Sequence, residues 1–182
     1  MFAIDEKPYT EILRGRAVRK VSPKRRHGVL QYTLARLLSD ASANFGTVAT
    51  EWRFTMPGEP RRTTLVPDVA FVAHDRLRPL SDEDREQPPF APEIAIEIRS
   101  PGDRTRTINE KIGIYLRHGS LSVLDVDPLE RSMTCHDASG VRTLREGDIF
   151  TLPLLPKLRI DVRALFASAD LPGQEGAPGT AR

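Results

Sequence analysis

Cysteine is nearly absent: Cys135 stands alone in 182 residues, which excludes an intrachain disulfide and any zinc site built on clustered cysteines. A metal held by this chain would have to rely on oxygen ligands. Long hydrophobic runs are missing as well. No apolar stretch approaches the length needed to cross a bilayer, so no membrane partner is expected, and nothing calls for an organic cofactor. The start, Met1-Phe2-Ala3-Ile4-Asp5-Glu6, has no basic stretch followed by an apolar one; no secretory leader is expected, and the cytoplasm is the expected compartment.

Net charge is small, formally +2, but it is unevenly placed. Arg14, Arg16, Arg19, Lys20, Lys24, Arg25 and Arg26 follow one another with no acid among them. Such a run contacts phosphates in a salt-sensitive, sequence-independent way, and it reads equally well as a solvated turn, since no aromatic residue interleaves with it for base stacking. The remaining composition, 39% hydrophobic and 29% charged, is that of a globular chain. Its length suits one domain over residues 1–169, followed by a Gly-, Pro- and Ala-rich tail at 170–182 that is expected to be disordered.

Residues 9–21 read as a strand pair around Arg14-Gly15. After Ser22-Pro23, the spacing of Leu30, Leu34, Leu37, Leu38 and Ala41 predicts an amphipathic helix with His27 near its start. A strand over 47–55, a turn at Pro57-Gly58-Glu59-Pro60 and a strand over 65–73 predict a hairpin. Residues 74–92 read as a polar, proline-rich loop with one helical turn near Asp82, and this loop is the expected place of substrate contact. Beyond it come a strand over 93–99, the turn Ser100-Pro101-Gly102-Asp103 capping a helix from about Arg104 to Arg117 closed by Gly119, and a strand over 121–126. That strand, helix, strand order predicts a parallel pair with a right-handed crossover. Short strands near Met133 and Thr143, and a strand with a helical turn over 158–167, complete the chain.

The chemistry concentrates around Glu93-Ile94-Ala95-Ile96-Glu97-Ile98-Arg99. A strand's period of two sends Ile94, Ile96 and Ile98 one way and Glu93, Ala95, Glu97 and Arg99 the other. Upstream, Pro67-Asp68 opens the apolar run Val69-Ala70-Phe71-Val72. Two acids entering neighbouring strands can assemble a divalent-cation site, which suggests metal-assisted phosphodiester chemistry. In the following helix Ile108, Lys111, Ile112 and Tyr115 share one face. Lys111 there either snorkels to solvent or reaches the acids and stabilises charge. Taken singly, Asp68 also reads as a turn aspartate, and Glu97 as a surface partner of Arg99. Cys135-His136-Asp137 imitates a nucleophile, base and acid, but consecutive residues cannot converge as a triad.

The stretches LVPDVAFV, APEIAIEIRSPGDRTRTINEKIGIYLRHG and VDP resemble the Uma-two family of putative restriction endonucleases, a branch of the PD-(D/E)XK nuclease superfamily. The flanks EILRGRAVRKVSPKRRH, GTVATEWRF and LPLLPKLRIDVRALFA extend the likeness over most of the chain. The resemblance implies an α/β, restriction-endonuclease-like fold, a mixed β-sheet flanked by helices, and Mg2+-dependent hydrolysis of DNA with Mn2+ as a substitute metal. It places Asp68 and Glu97 as metal ligands with the backbone carbonyl of Ile98. Arg99 falls at the superfamily's lysine position, and Lys111 is the basic residue supplied from the helix. Arg99 cannot surrender a proton, so it would stabilise charge rather than act as a base. Glu11 and Glu51 match recurring acids but read as exposed strand glutamates, and His27 as an ordinary helix-terminal residue. Asp125, where relatives carry an apolar residue, and Val123-Leu124, where they carry Tyr-Trp, depart from the family.

Two functions follow: an endonuclease using Asp68, Glu97, Arg99 and Lys111, or a catalytically weak module that keeps the fold and binds nucleic acid or a partner. Lys111 separates them, since a lysine directed to solvent favours the module. A homodimer would suit double-strand cutting.

Overall fold

A computed structural model describes residues 10–20, 23–42 and 44–171. In chain order the elements are β1 (Thr10–Leu13), β2 (Arg16–Arg19), α1 (Arg25–Ser42), β3 (Gly46–Thr50), β4 (Phe54–Thr55), β5 (Thr64–Leu65), β6 (Val69–Ala73), α2 (His74–Leu77), α3 (Asp82–Glu86), β7 (Ile94–Ile98), α4 (Thr105–Arg117), β8 (Ser122–Asp127), β9 (Ser132–Asp137), β10 (Gly140–Leu144), β11 (Ile149–Leu152), β12 (Leu155–Asp161) and α5 (Val162–Ala167). The centre is a six-stranded sheet in the order β10-β9-β8-β7-β6-β3. Only β7 and β8 run parallel, joined by α4 as the strand, helix, strand pattern predicts.

The period-two reading of β7 holds on both faces. Ile94, Ile96 and Ile98 lie in one core with Leu30, Leu34 and Leu38 of α1 and with residues of β12 and α5. Ala95 lies in a second core with Ile108, Ile112 and Tyr115 of α4. Each fully buried leucine of α1 is worth roughly 1.5–3 kcal/mol of apolar transfer, so this helix is fixed by its stripe rather than by its ends. At the far end of α4, Gly119 adopts φ 97° while Ser120 N–H donates to Tyr115 O and Gly119 N–H to Leu116 O, the left-handed closure that the sequence predicts. The start of α4 differs: Arg104 caps it without a side-chain bond, and Asp103 instead accepts from the Ser100 N–H within the turn.

The hairpin expected from 47–55 and 65–73 is divided. Glu51 takes φ 54°, and the chain on either side of it joins different sheets. β3 pairs with β6, whereas β4 pairs with β5 in a smaller sheet ordered β2-β1-β5-β4, which covers the α4 side. The partner strand divides at Val66-Pro67-Asp68, so Asp68 stands where the two sheets part. Its N–H donates to Ile96 O, and its carbonyl accepts from Glu51 N–H and Gln31 Nε2. The helix α2 and the strand β11 were not expected; both are short, and β11 exists as the partner of β12. Among the described residues no helix is long and apolar enough to cross a membrane. Most of the tail, 172–182, lies outside the described residues.

At the outer edge of the large sheet, a Cβ on Gly46 would fall 2.5 Å from the Phe71 ring and 2.5 Å from Val72 O. Gly46→Ala is expected to lower stability by about 1–3 kcal/mol in urea unfolding. A change within about 0.5 kcal/mol would mean that the Phe71 ring and the β6 backbone at Val72 both give way freely.

Candidate active site

Pairing of Val69 with Ile96 brings Asp68, one residue before β6, beside Glu97 in the middle sheet. The Ile98 N–H donates to Asp68 Oδ2 at 2.7 Å. Because the N–H and C=O of one residue in an extended strand face the same neighbour, the Ile98 carbonyl is directed toward β6 as well. Glu97 faces α4, where Lys111 Nζ lies 2.6 Å from its Oε2 and the Tyr115 hydroxyl donates to its Oε1 at 2.8 Å. Lys111 is buried and directed at the acids, not at solvent.

Three further residues enter the cluster. Glu11 is not an exposed strand glutamate: it is 3% exposed, its Oε1 lies 3.0 Å from Lys111 Nζ, and it accepts from the Val66 N–H at 2.7 Å. Lys20, the fourth member of the basic run, donates to Asp68 Oδ1 at 2.6 Å and to Val66 O at 2.8 Å. His27 is more than a terminal residue. Its Nε2 lies 3.3 Å from Asp68 Oδ2, and its Nδ1 is buried with no hydrogen-bond partner.

Three carboxylates thus share two ammoniums. The shortfall of positive charge falls on Glu97, whose carboxyl burial pushes up to about 7; Glu11 and Asp68 add to that shift, while Lys111 and Lys20 oppose it. Burial also acts to raise Asp68, but Lys20 and His27 outweigh it and hold this carboxyl below the usual range. For Lys111 and Lys20 burial favours the neutral amine, yet the surrounding acids reverse this and raise both, so both stay protonated. The Tyr115 hydroxyl is raised well above its usual value by burial and by Glu97, so it remains a donor.

The donor set fits a hard dication in kind, being carboxylate oxygens of Asp68, Glu97 and Glu11 with the Ile98 carbonyl. Among the described residues no three acids or histidines converge at metal-holding distance, and Lys111 stands between Glu97 and Glu11. Any metal must therefore be admitted by a shift of these side chains.

Arg99 lies apart from the two acids. Its guanidinium forks onto Asp125, Nε to Oδ1 at 2.9 Å and Nη2 to Oδ2 at 2.7 Å. Asp125 pairs in register with Glu97 across the parallel strands. Val123 and Leu124 are buried on opposite faces, so β8 packs fully without the family's aromatic pair. Arg99 also borders a recess of about 390 Å³ whose lining includes Lys24, Arg25, His27, Asp103 and Asp127.

The rest of the basic run is largely engaged within the molecule. Arg14 and Arg16 meet Glu110, Arg25 donates to Ala169 O, and Arg26 lies 3.7 Å from Asp170. The 74–92 segment begins at the other end of β6 from Asp68. There Arg76 lies 3.2 Å from Glu93 and stacks 3.9 Å over the Phe90 ring, so its first part closes the fold away from the cluster.

The sequence model of the Uma2 family, described as putative restriction endonuclease, matches residues 2–163. No curated protein matches. Among solved structures, a crystal structure of a DUF820 protein from Anabaena variabilis, described as a putative nuclease, shares the fold with a TM-score of 0.80 and 20% identity, covering 90% of this chain and 93% of its own.

Removing Lys111 leaves two buried carboxylates without a cation, so Lys111→Met is expected to destabilise the protein by roughly 3–5 kcal/mol in denaturant unfolding. Glu97 gives a pH signature. Its folded value of about 7 lies above the unfolded 4.5, so the native state holds the proton longer and the Glu97 contribution to stability falls as pH rises through that interval. Glu97→Gln lacks this loss. Its stability relative to wild type is expected to improve by up to about 3 kcal/mol between pH 4.5 and 8, and a flat difference would refute the assignment.

Proposed function

This chain belongs to the Uma2 family of putative restriction endonucleases, and from that premise we propose that it is a Mg2+-dependent endonuclease that hydrolyses DNA phosphodiester bonds, with Mn2+ as a substitute metal. The observation that carries the reading is the pair Asp68 and Glu97, set side by side on adjacent strands and each bonded to its own lysine at 2.6 Å. Asp68, Glu97 and the backbone carbonyl of Ile98 are the metal ligands of this reading. When bound, the dication polarises the phosphoryl oxygen and acidifies a water.

The chain's own residues supply the remainder. Lys20 and His27 keep Asp68 ionised, and Tyr115 fixes one Glu97 oxygen so that the carboxylate has a defined direction. The Lys111 ammonium brings fixed positive charge to the place where negative charge develops on the phosphate. Arg99, anchored by Asp125, presents a permanent cation at the rim of the recess and orients the DNA backbone there; as a guanidinium it takes no proton. Lys24 and Arg25 line the same recess, whose size admits a phosphate group. Lys111 turned toward Glu97 supports hydrolysis over the alternative of a catalytically weak binding module. A homodimer, its two-fold axis matched to that of the duplex, belongs to the same reading.

With either metal, wild-type protein is expected to nick supercoiled plasmid, and Asp68→Ala and Glu97→Ala to reduce the rate on the order of 100-fold or more. Equal activity in all three proteins would expose a contaminant. No cleavage with either metal would leave the binding module as the function.

A further inference from the structure

Lys20 occupies the position of a counter-cation on Asp68. Its ammonium sits on Oδ1, while Oδ2 receives the Ile98 N–H and faces His27. The two lysines of the cluster are not equivalent. Lys111 projects from the middle of α4, is held between Glu97 and Glu11, and its side chain is 5% exposed. Lys20 serves one carboxylate and one carbonyl, follows directly on β2 at the edge of the small sheet, and its side chain is 17% exposed. A lysine stem of this kind can carry its ammonium out to water. Lys111 could leave only by abandoning two buried carboxylates.

Charge balance points the same way. Three buried carboxyl groups, those of Glu11, Asp68 and Glu97, already share the ammoniums of Lys20 and Lys111. A dication added to that set would leave an excess of positive charge in a buried place, which the departure of one ammonium reduces.

We propose that Lys20 is a built-in counter-ion of the metal site: it holds Asp68 in place while no metal is bound, and a divalent cation enters by displacing its ammonium from Asp68 Oδ1. The proposal rests on the metal-dependent reading above. Lys20 is then a positioning residue that acts through Asp68, and its role is read from metal affinity, independently of cleavage.

The test is Mn2+ binding to the full chain without DNA, followed by the electron paramagnetic resonance of free Mn2+. Lys20→Met is expected to bind Mn2+ roughly tenfold more tightly than wild type, because a competing charge is gone, while Lys20→Arg keeps a cation and gains nothing. A second reading needs no variant. In wild type, acetylation of Lys20 by an amine-reactive reagent, followed by mass spectrometry, is expected to rise with Mn2+ while Lys111 stays protected. A folded Lys20→Met protein with unchanged or weaker Mn2+ affinity overturns the proposal, as does Lys20 labelling indifferent to Mn2+. If wild type and variant both fail to bind Mn2+, the metal reading itself falls and the displacement with it. Binding by wild type that the variant does not improve sinks the displacement alone.

Discussion

The buried contact of Lys111 with Glu97 and Glu11 is the constraint on which the rest of the site depends. It ties α4, the central sheet and the small sheet to one ammonium, since Glu97 lies in β7 and Glu11 in β1. A buried ion pair is a poor source of stability, because desolvating two charges costs about as much as their attraction returns. The surroundings make this sharper. Lys111 is buried on the same face of α4 as Ile108 and Ile112, which belong to an apolar core. Charges retained in such a place add little to the fold, and in the proposed reading the hard oxygens gathered here serve a dication.

Arg99 and Asp125 are better understood as one unit than as two departures from a family pattern. Residues that look separately anomalous in the sequence, a guanidinium at the lysine position and an acid in a strand of otherwise buried residues, form a two-bond fork across neighbouring strands. Asp125 is 6% exposed, and an unpaired carboxylate there would carry a large desolvation cost; Arg99 removes it. The fork also draws Arg99 away from Asp68 and Glu97, toward the recess. In the proposed reading this divides the labour: the lysines serve the carboxylates and the arginine serves the incoming phosphate.

Much of this was legible because two periods are hard to imitate. The alternation in 93–99 separates Glu97 from the isoleucines, and the helical stripe of Ile108, Lys111, Ile112 and Tyr115 places the lysine on the sheet side. Tyr115 carried a usable signal: a hydroxyl one turn from a buried lysine must find an acceptor, and Glu97 provides it. The remainder had no local signature. Glu51 bends the chain with a positive φ that nothing but glycine or asparagine normally advertises, so the division of two strands between two sheets was invisible. Lys20 looked like any other member of a basic run, and Glu11 like any strand glutamate. Their partners are 48 and 100 residues away, and only the tertiary fold selects them.

The division of the strands is itself what makes the site possible. A continuous hairpin over 47–73 would hold the backbone of Val66-Pro67-Asp68 in one ladder. Because β5 and β6 belong to different sheets, the intervening Val66-Pro67-Asp68 is free of a continuous ladder, and its backbone groups bond instead to Glu11, Lys20, Gln31 and Glu51. Pro67 suits that bend, since it has no N–H to satisfy. The junction therefore directs the buried Asp68 carboxylate into the gap between the sheets, where Lys20, following β2, and Glu11 of β1 meet Glu97 of β7. The site is thus assembled from two sheets, with β6 and β7, buried on both faces, holding Asp68 and Glu97 in register.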